Sequence, residues 1–320
     1  MDGGSARGPI NQGQVIFVAS SALFERGDVM RKARKYQVGV LEDLAHSERI
    51  SNCREIMELK MALRAVELSS PEFVLLDGSL EALIKRDNWV TPFGARYREQ
   101  SVRRFLDKLL SGISEAGIKL TEDFAPVTLN PEYGKVIDAI VEDSYRSEFG
   151  ESPRRDEFMR ARVFLERCEM IHSLHELLSK SRNLVAIAKR SSSHTYFESE
   201  IPDIEVVRRF FGTMEGFLRP KEIELNSPSY YGIDARYPLT LTYARLERGA
   251  NPLRVEVVGH HDEGSLARIM GSLACSSIRG YPYHLRIVHE MAKVKWREMV
   301  YLMRNLRVID WVTGREFLGE

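Results

Sequence analysis

Phe73-Val74-Leu75-Leu76-Asp77-Gly78-Ser79-Leu80 is the stretch from which the rest of this 320-residue chain can be ordered. An apolar run closed by an acid, a glycine and a serine is the pattern of a buried strand that stops at a polar turn. Asp77 then sits at a strand's carboxyl end, the edge of an open α/β sheet where ligands and metals collect. Taken alone, the same residue reads equally well as a turn-forming Asp-Gly. A site needs partners from elsewhere in the chain.

Upstream of the strand, residues 54–68 carry apolar side chains at Ile56, Leu59, Leu63 and Val66, which is helical spacing, with Ser51 and Asn52 as candidate N-caps. Glu58 lies on the flank of that stripe, where a carboxylate beside small, half-buried residues is held either by a partner or for a purpose. It reaches Asp77 only if the helix returns antiparallel across the sheet edge. Further back, Gln14 to Ser21 reads as a first strand and Val38 to Leu41 as a second. Residues 1–13 are Gly-rich with no apolar signal core, and are expected to be a flexible leader.

Downstream, residues 81–180 are helical in pattern, with breaks at Thr91-Pro92-Phe93-Gly94, around Asn130-Pro131 and at Gly150 to Pro153. Leu184 to Ala188 is a second apolar strand, and it ends in Lys189-Arg190-Ser191-Ser192-Ser193, a set of cations and hydroxyls suited to phosphate and equally common on solvated loop ends. Ile204 to Gly212 and Glu263 to Cys275 read as helices, and Leu239 to Leu246 with Leu253 to Val258 as a hairpin. A long helix is expected from Tyr283 to about Leu306. On it Leu285, His289, Ala292 and Trp296 share one face, which would turn His289 toward packed protein.

Composition narrows the classes. Lys plus Arg and Asp plus Glu each total 46, so no global field advertises nucleic acid or an acidic membrane. Three widely separated cysteines argue for a reducing compartment and against a disulfide framework. No apolar run approaches the roughly 20 residues a membrane span needs. A cytoplasmic protein with no membrane partner is the expectation.

Other constellations are weaker. Cys168, His172 and His175 share a helical face but lack a fourth zinc ligand and a second ligand segment. Gly259-His260-His261-Asp262-Glu263 reads as a hairpin-end loop, since neighbours on a strand point to opposite faces. The basic helix Tyr97 to Leu110, with Arg98, Arg103, Arg104 and Lys108, is either a solvated face or a nucleic-acid patch. Nucleophile-elbow, P-loop and Rossmann glycine patterns are absent.

In combination the motifs resemble a family. Leu75-Leu76-Asp77-Gly78-Ser79-Leu80 preceded by Arg54-x3-Glu58, the strand end Leu184-Val185-Ala186-Ile187-Ala188-Lys189, and Gly280-Tyr281-Pro282-Tyr283-x5-His289 look like the NurA family of archaeal DNA-end-processing nucleases. The likeness covers about residues 14–92, 160–200 and 230–310. It implies an α/β fold, an RNase H-like mixed β-sheet flanked by helices, in a nuclease domain over 14–320 with 93–159 as a helical insertion. It also implies a homodimer that cleaves DNA with manganese, or magnesium in its place, and resects broken ends beside a HerA-like hexameric ATPase. Carried over residue by residue, Glu58, Asp77 and His289 are metal ligands, and Tyr281 and Lys189 join them as catalytic residues. The types suit the chemistry. Hard carboxylates hold such cations, which lower the pKa of water and screen the charge that develops on a phosphodiester. An imidazole ligates or moves a proton, and a lysine holds phosphate as a point charge.

One departure from the family pattern bears on activity. Its first strand ends in a pattern resembling Val-Asp-Gly-Ser, and the equivalent stretch here is taken to be Val18-Ala19-Ser20-Ser21, which has no acid. Glu25 or Asp28 would have to substitute. Two function classes follow: an active metal-dependent DNA nuclease, and a catalytically impaired NurA-like subunit that binds DNA ends or the HerA-type motor. An RNase H-like enzyme acting on RNA is a more distant third.

Overall fold

The computed structural model describes residues 1–10, 13–26, 29–41, 46–85, 97–181, 183–210, 212–227 and 231–305. The chain opens with an antiparallel meander of β1 (Asp2–Ile10), β2 (Gly13–Arg26) and β3 (Val29–Leu41). β1 pairs with β2 from Asp2 opposite Ser21 to Ile10 opposite Gly13. Residues 2–10 are therefore a strand, which corrects the flexible leader. Glycine carries the same main-chain donor and acceptor as any residue, and the β-forming run of Val15 to Val18 on β2 supplies the template to which they pair.

α1 (His46–Ser69) follows and is longer than its apolar stripe suggests, so Ser51 and Asn52 lie within the helix rather than at its cap. Then come β4 (Val74–Asp77), the short α2 (Leu80–Lys85), α3 (Glu99–Glu115), a 3₁₀ turn at Val127–Leu129, α4 (Gly134–Phe149) and α5 (Arg155–Lys180). The expected break at Thr91 to Gly94 lies outside the described residues. α4 stops at Gly150, whose φ of 75° is the left-handed conformation that closes a helix.

The carboxyl half contains β5 (Leu184–Ala188), α6 (Asp203–Phe210), β6 (Gly216–Phe217), β7 (Lys221–Asn226), β8 (Arg236–Arg245) and β9 (Leu253–Val258). After α7 (Glu263–Cys275), β10 (Ser277–Ile278) and β11 (Tyr281–Pro282) form a small ladder leading into α8 (Tyr283–Ala292) and α9 (Trp296–Asn305). The single long helix anticipated here is two helices, broken across Lys293 to Lys295, where no glycine or proline marks the break.

β4 and β5 are parallel, and the larger sheet runs β4-β5-β9-β8-β6, with β7 also on β8. Two main-chain bonds join it to the meander. The Met1 nitrogen donates to Leu75 O at 2.7 Å, and Asp77 N donates to Met1 O at 3.3 Å. That is the bonding pattern of a parallel bridge between Met1 and Leu76. The strands thus continue as β3-β2-β1-β4-β5-β9-β8, a mixed sheet consistent with an RNase H-like arrangement.

Helices cover both faces. On one, α1, α3, α4 and α5 pack around Ile56, Phe105, Val141, Phe164 and Leu174 against Val74, Leu76, Leu184 and Ala186 of the sheet. On the other, Leu266, Ile269, Met270 and Leu273 of α7 and Leu285 of α8 cover Val185, Ile187, Val255 and Val257. Coverage on both sides is why β5 is buried at every position and reads as a continuous apolar run.

Candidate metal centre

The carboxyl ends of the parallel strands β4 and β5 lie side by side, Asp77 opposite Ile187, so Asp77 and Lys189 emerge at one sheet edge. The bridge of Met1 to Leu76 sets Asp2 next to Asp77 on the same pleat. From the far side, α8 brings in His289, whose Nδ1 lies 2.6 Å from Asp2 Oδ2. One ligand atom from each of Asp2, Asp77 and His289 lies within 4.8 Å of the other two. Ligand atoms about 2.1 Å from a shared ion can be at most about 4.2 Å apart, so modest closure would let all three hold a small hard cation. Two carboxylates and an imidazole are a donor set that manganese and magnesium accept.

α1 does cross this edge, and Glu58 lines the same cleft, of about 420 Å³, with Arg54 one turn before it. Burial first, and the Asp2 carboxylate second, push the Glu58 carboxyl well above the usual range, with Asp77 adding to the rise. Lys189 Nζ pairs with Asp77 Oδ2 at 3.1 Å and lies 4.0 Å from the centre of the Tyr281 ring. The Tyr281 hydroxyl is buried without a hydrogen bond of regular geometry. Burial, reinforced by the neighbouring Asp77 charge, pushes its pKa far up, so the phenol keeps its proton. Of the five residues singled out from sequence, Glu58, Asp77, Lys189 and His289 line one cleft, and Tyr281 lies against Lys189 beside it.

Asp2 was missed. The acid sought near Val18 to Ser21 is not there because that stretch lies in the middle of β2, buried, with Ser21 Oγ donating to Val288 O at 2.8 Å. Glu25, proposed as a substitute, pairs with His284 and is not among the residues lining the cleft; Asp28 lies outside the described residues. The available signal was Asp2-Gly3-Gly4-Ser5, an acid followed by glycine and serine as at Asp77-Gly78-Ser79. No apolar run adjoins it in the way Val74 to Leu76 adjoins Asp77, so nothing marked it as a strand position. His289 is also corrected: Leu285 and Ala292 are buried, but the His289 side chain is 45% exposed and faces the cleft rather than packed protein.

The other constellations find ordinary partners. His172 Nε2 bonds Tyr231 O at 3.0 Å, His175 Nδ1 bonds Tyr237 Oη at 2.8 Å, and Cys168 is buried in the core. His260 pairs with Glu222, and Asp262 caps α7 through Ser265 N. On α3, Arg103 pairs with Glu99 at 2.8 Å and Arg104 with Glu148 at 2.7 Å, as on a solvated helix face. No described helix is long and apolar enough to cross a membrane.

The comparisons with known proteins agree with this fold. The DNA double-strand break repair nuclease NurA of Saccharolobus solfataricus is 27% identical over 300 residues, covering 90% of this chain and 74% of the relative. The probable DNA double-strand break repair nuclease NurA of Methanocaldococcus jannaschii is 23% identical over 330 residues, covering 94% and 75%. The crystal structure of the NurA nuclease from Sulfolobus solfataricus superposes with a TM-score of 0.65 at 22% identity, covering 97% of this chain and 84% of that one. That of NurA bound to dAMP and manganese gives 0.65 at 17% identity, covering 98% and 88%. The NurA domain family model matches residues 4–294, beginning just past Asp2 and running through α8, and on that match this chain belongs to the NurA domain family.

Proposed function

We propose that this chain is a metal-dependent DNA nuclease that hydrolyses phosphodiesters at broken DNA ends. The observation that carries the proposal is the convergence of Asp2, Asp77 and His289 ligand atoms within 4.8 Å at the mouth of a cleft that also holds Glu58 and Lys189. The relatives named as DNA repair nucleases, and the related structure bound to dAMP and manganese, support the same substrate and cation. The proposal includes a homodimer working with a HerA-like hexameric ATPase in end resection, which the family resemblance supports.

Asp2, Asp77 and His289 would hold the ion, with Glu58 as the additional carboxylate. Manganese, or magnesium, supplies positive charge against the phosphate and lowers the pKa of a bound water. The remaining work belongs to the chain. Lys189, held at the strand end by Asp77, offers a point charge to a phosphate oxygen. Tyr281, which keeps its proton, offers a hydrogen-bond donor and does not act as the base. His289 is held by Asp2 through Nδ1, which fixes the direction of its ring at the edge of the ion site.

The non-catalytic alternative rested on a missing acid, and the position of Asp2 beside Asp77 supports the active reading over it. The test is digestion of linear single- and double-stranded DNA by pure protein under manganese titration. Manganese-dependent release of nucleotides is expected from the wild type and not from Asp77→Ala. Undiminished release by Asp77→Ala would overturn the assignment.

A further inference from the structure

One buried network behind the cleft touches both strand ends that build it. Glu256, on β9, has no exposed surface. Its Oε1 accepts from Ser79 Oγ and from Arg254 Nε, each at 2.6 Å. Its Oε2 accepts from the main-chain N–H of Leu80 at 2.6 Å and of Glu81 at 3.2 Å. Arg254, equally buried, passes the connection on by donating Nη2 to Glu81 Oε2 at 2.5 Å. Glu81 in turn accepts from Ser193 Oγ at 2.9 Å and from Thr195 Oγ1 at 2.7 Å.

The connectivity is selective. Gly78 and Ser79 form the turn directly after Asp77 and Leu80 and Glu81 open α2, while Ser193 and Thr195 belong to the loop that follows Lys189. The turn runs through Gly78, whose φ of 153° is a conformation that side chains rarely adopt and glycine adopts freely, so the direction of the chain there is set by what holds its neighbours. A set of buried charges is a poor way to gain stability, because an apolar trio of similar volume is often as stable or more so. What the charges provide that an apolar trio would not is a set of fixed directions.

Resting on the nuclease reading above, we propose that Glu256 is a positioning residue for the metal centre: it fixes the Asp77 turn directly and, through Arg254 and Glu81, holds the Lys189 loop in register with it. Glu256 is buried and is not among the residues that line the cleft. Its effect passes through the angle at which Asp77 leaves β4 and the distance between Asp77 and Lys189.

The test compares Glu256→Gln, which keeps the shape and removes the charge, with Ser79→Ala, which removes the bond to Glu256 together with the bond from Ala82 N and leaves the buried charges alone. Manganese affinity is measured by electron paramagnetic resonance on folded protein without DNA, and kcat and KM are measured on a short duplex. Partners one step behind a metal ligand are typically worth about 10–100-fold in affinity or activity. Glu256→Gln is therefore expected to weaken manganese binding about tenfold or more and to lower kcat with little change in KM. Ser79→Ala should move both the same way by a smaller factor. A merely structural role would lower the melting temperature and leave the affinity and kcat of folded protein unchanged. If Glu256→Gln does not fold, Ser79→Ala decides. Manganese affinity and kcat within twofold of wild type in the folded variant would overturn the proposal. The nuclease reading fails separately, if wild-type protein binds manganese and does not cut DNA, and the affinity comparison still reports on Glu256 in that case.

Discussion

Replacing Asp2 with asparagine keeps the side chain's size and removes one charge from the cluster, and the two states of the site should then respond differently. Without a cation, carboxylates with oxygens up to 4.8 Å apart repel by about 3 kcal/mol at an effective dielectric constant near 20. Against that relief, the variant weakens the 2.6 Å bond between Asp2 and His289, a charge-assisted contact of about 1.5–3 kcal/mol, by removing the carboxylate's charge. The two offset, so the melting temperature of the metal-free variant should stay within about 3 °C of wild type. Manganese separates them. At a hundred times its Kd an ion stabilises the wild type by about 2.7 kcal/mol, about 5 °C for a chain of this size. If loss of the ligand weakens binding a hundredfold, the same concentration gives about 0.4 kcal/mol, under about 1 °C. Scanning calorimetry with and without manganese, run beside a DNA digestion, reads both states. A wild-type manganese shift in Asp2→Asn, with undiminished cleavage, would refute the place given to Asp2.

Lys60→Met should destabilise the protein by about 3–5 kcal/mol in a urea melt, because Lys60 Nζ lies 2.5 Å from Glu169 in the core. The Glu169 carboxyl is already pushed up to about 7, by burial and against the pull of Lys60; a loss under about 1 kcal/mol would contradict this. Glu81 gives an acid dependence: burial raises its pKa, but bonds from Lys85 and Thr195 and the charge of Arg254 outweigh it and hold the carboxyl at about 2. A depressed acid stabilises the fold above its unfolded pKa and loses that contribution as pH falls, here across the window from 4.5 to about 2, for about 3 kcal/mol. Glu81→Gln should flatten that part of the stability profile, and an unchanged acid limb would count against it. Arg103→Ala with Arg104→Ala should leave DNA affinity and its salt slope unchanged, since each arginine is already paired, with the exposed Glu99 and the largely buried Glu148. A slope reduced by about one for each arginine would place α3 on the DNA path.

Much of the site was legible where its signal is local. Asp77 and Lys189 close apolar runs, and β5, buried on both faces, advertises its end by the first polar residues it meets. Glu58 was legible as a carboxylate on the flank of an apolar stripe, and α7 was bounded correctly at Glu263 and Cys275 by its spacing. His289 and Tyr281 carried no decisive signal of their own and were found through the motif they share with a family. The break between α8 and α9 has no glycine or proline to announce it, so periodicity ran through it.

Convergence was decided elsewhere. Asp2 enters the centre through main-chain bonds to β2 across the meander and to β4 across 74 residues of chain, and none of these depends on side-chain pattern. Glu256 and Arg254 read as polar positions on a hairpin strand, and their burial beneath the Asp77 turn follows from where β9 lies beside β5. Residue type and spacing carry helices, strands and the polar ends of buried runs, because those rest on interactions within a few residues. Which strand ends share an edge depends on pairing between distant segments, and that pairing set the number of acids in the site.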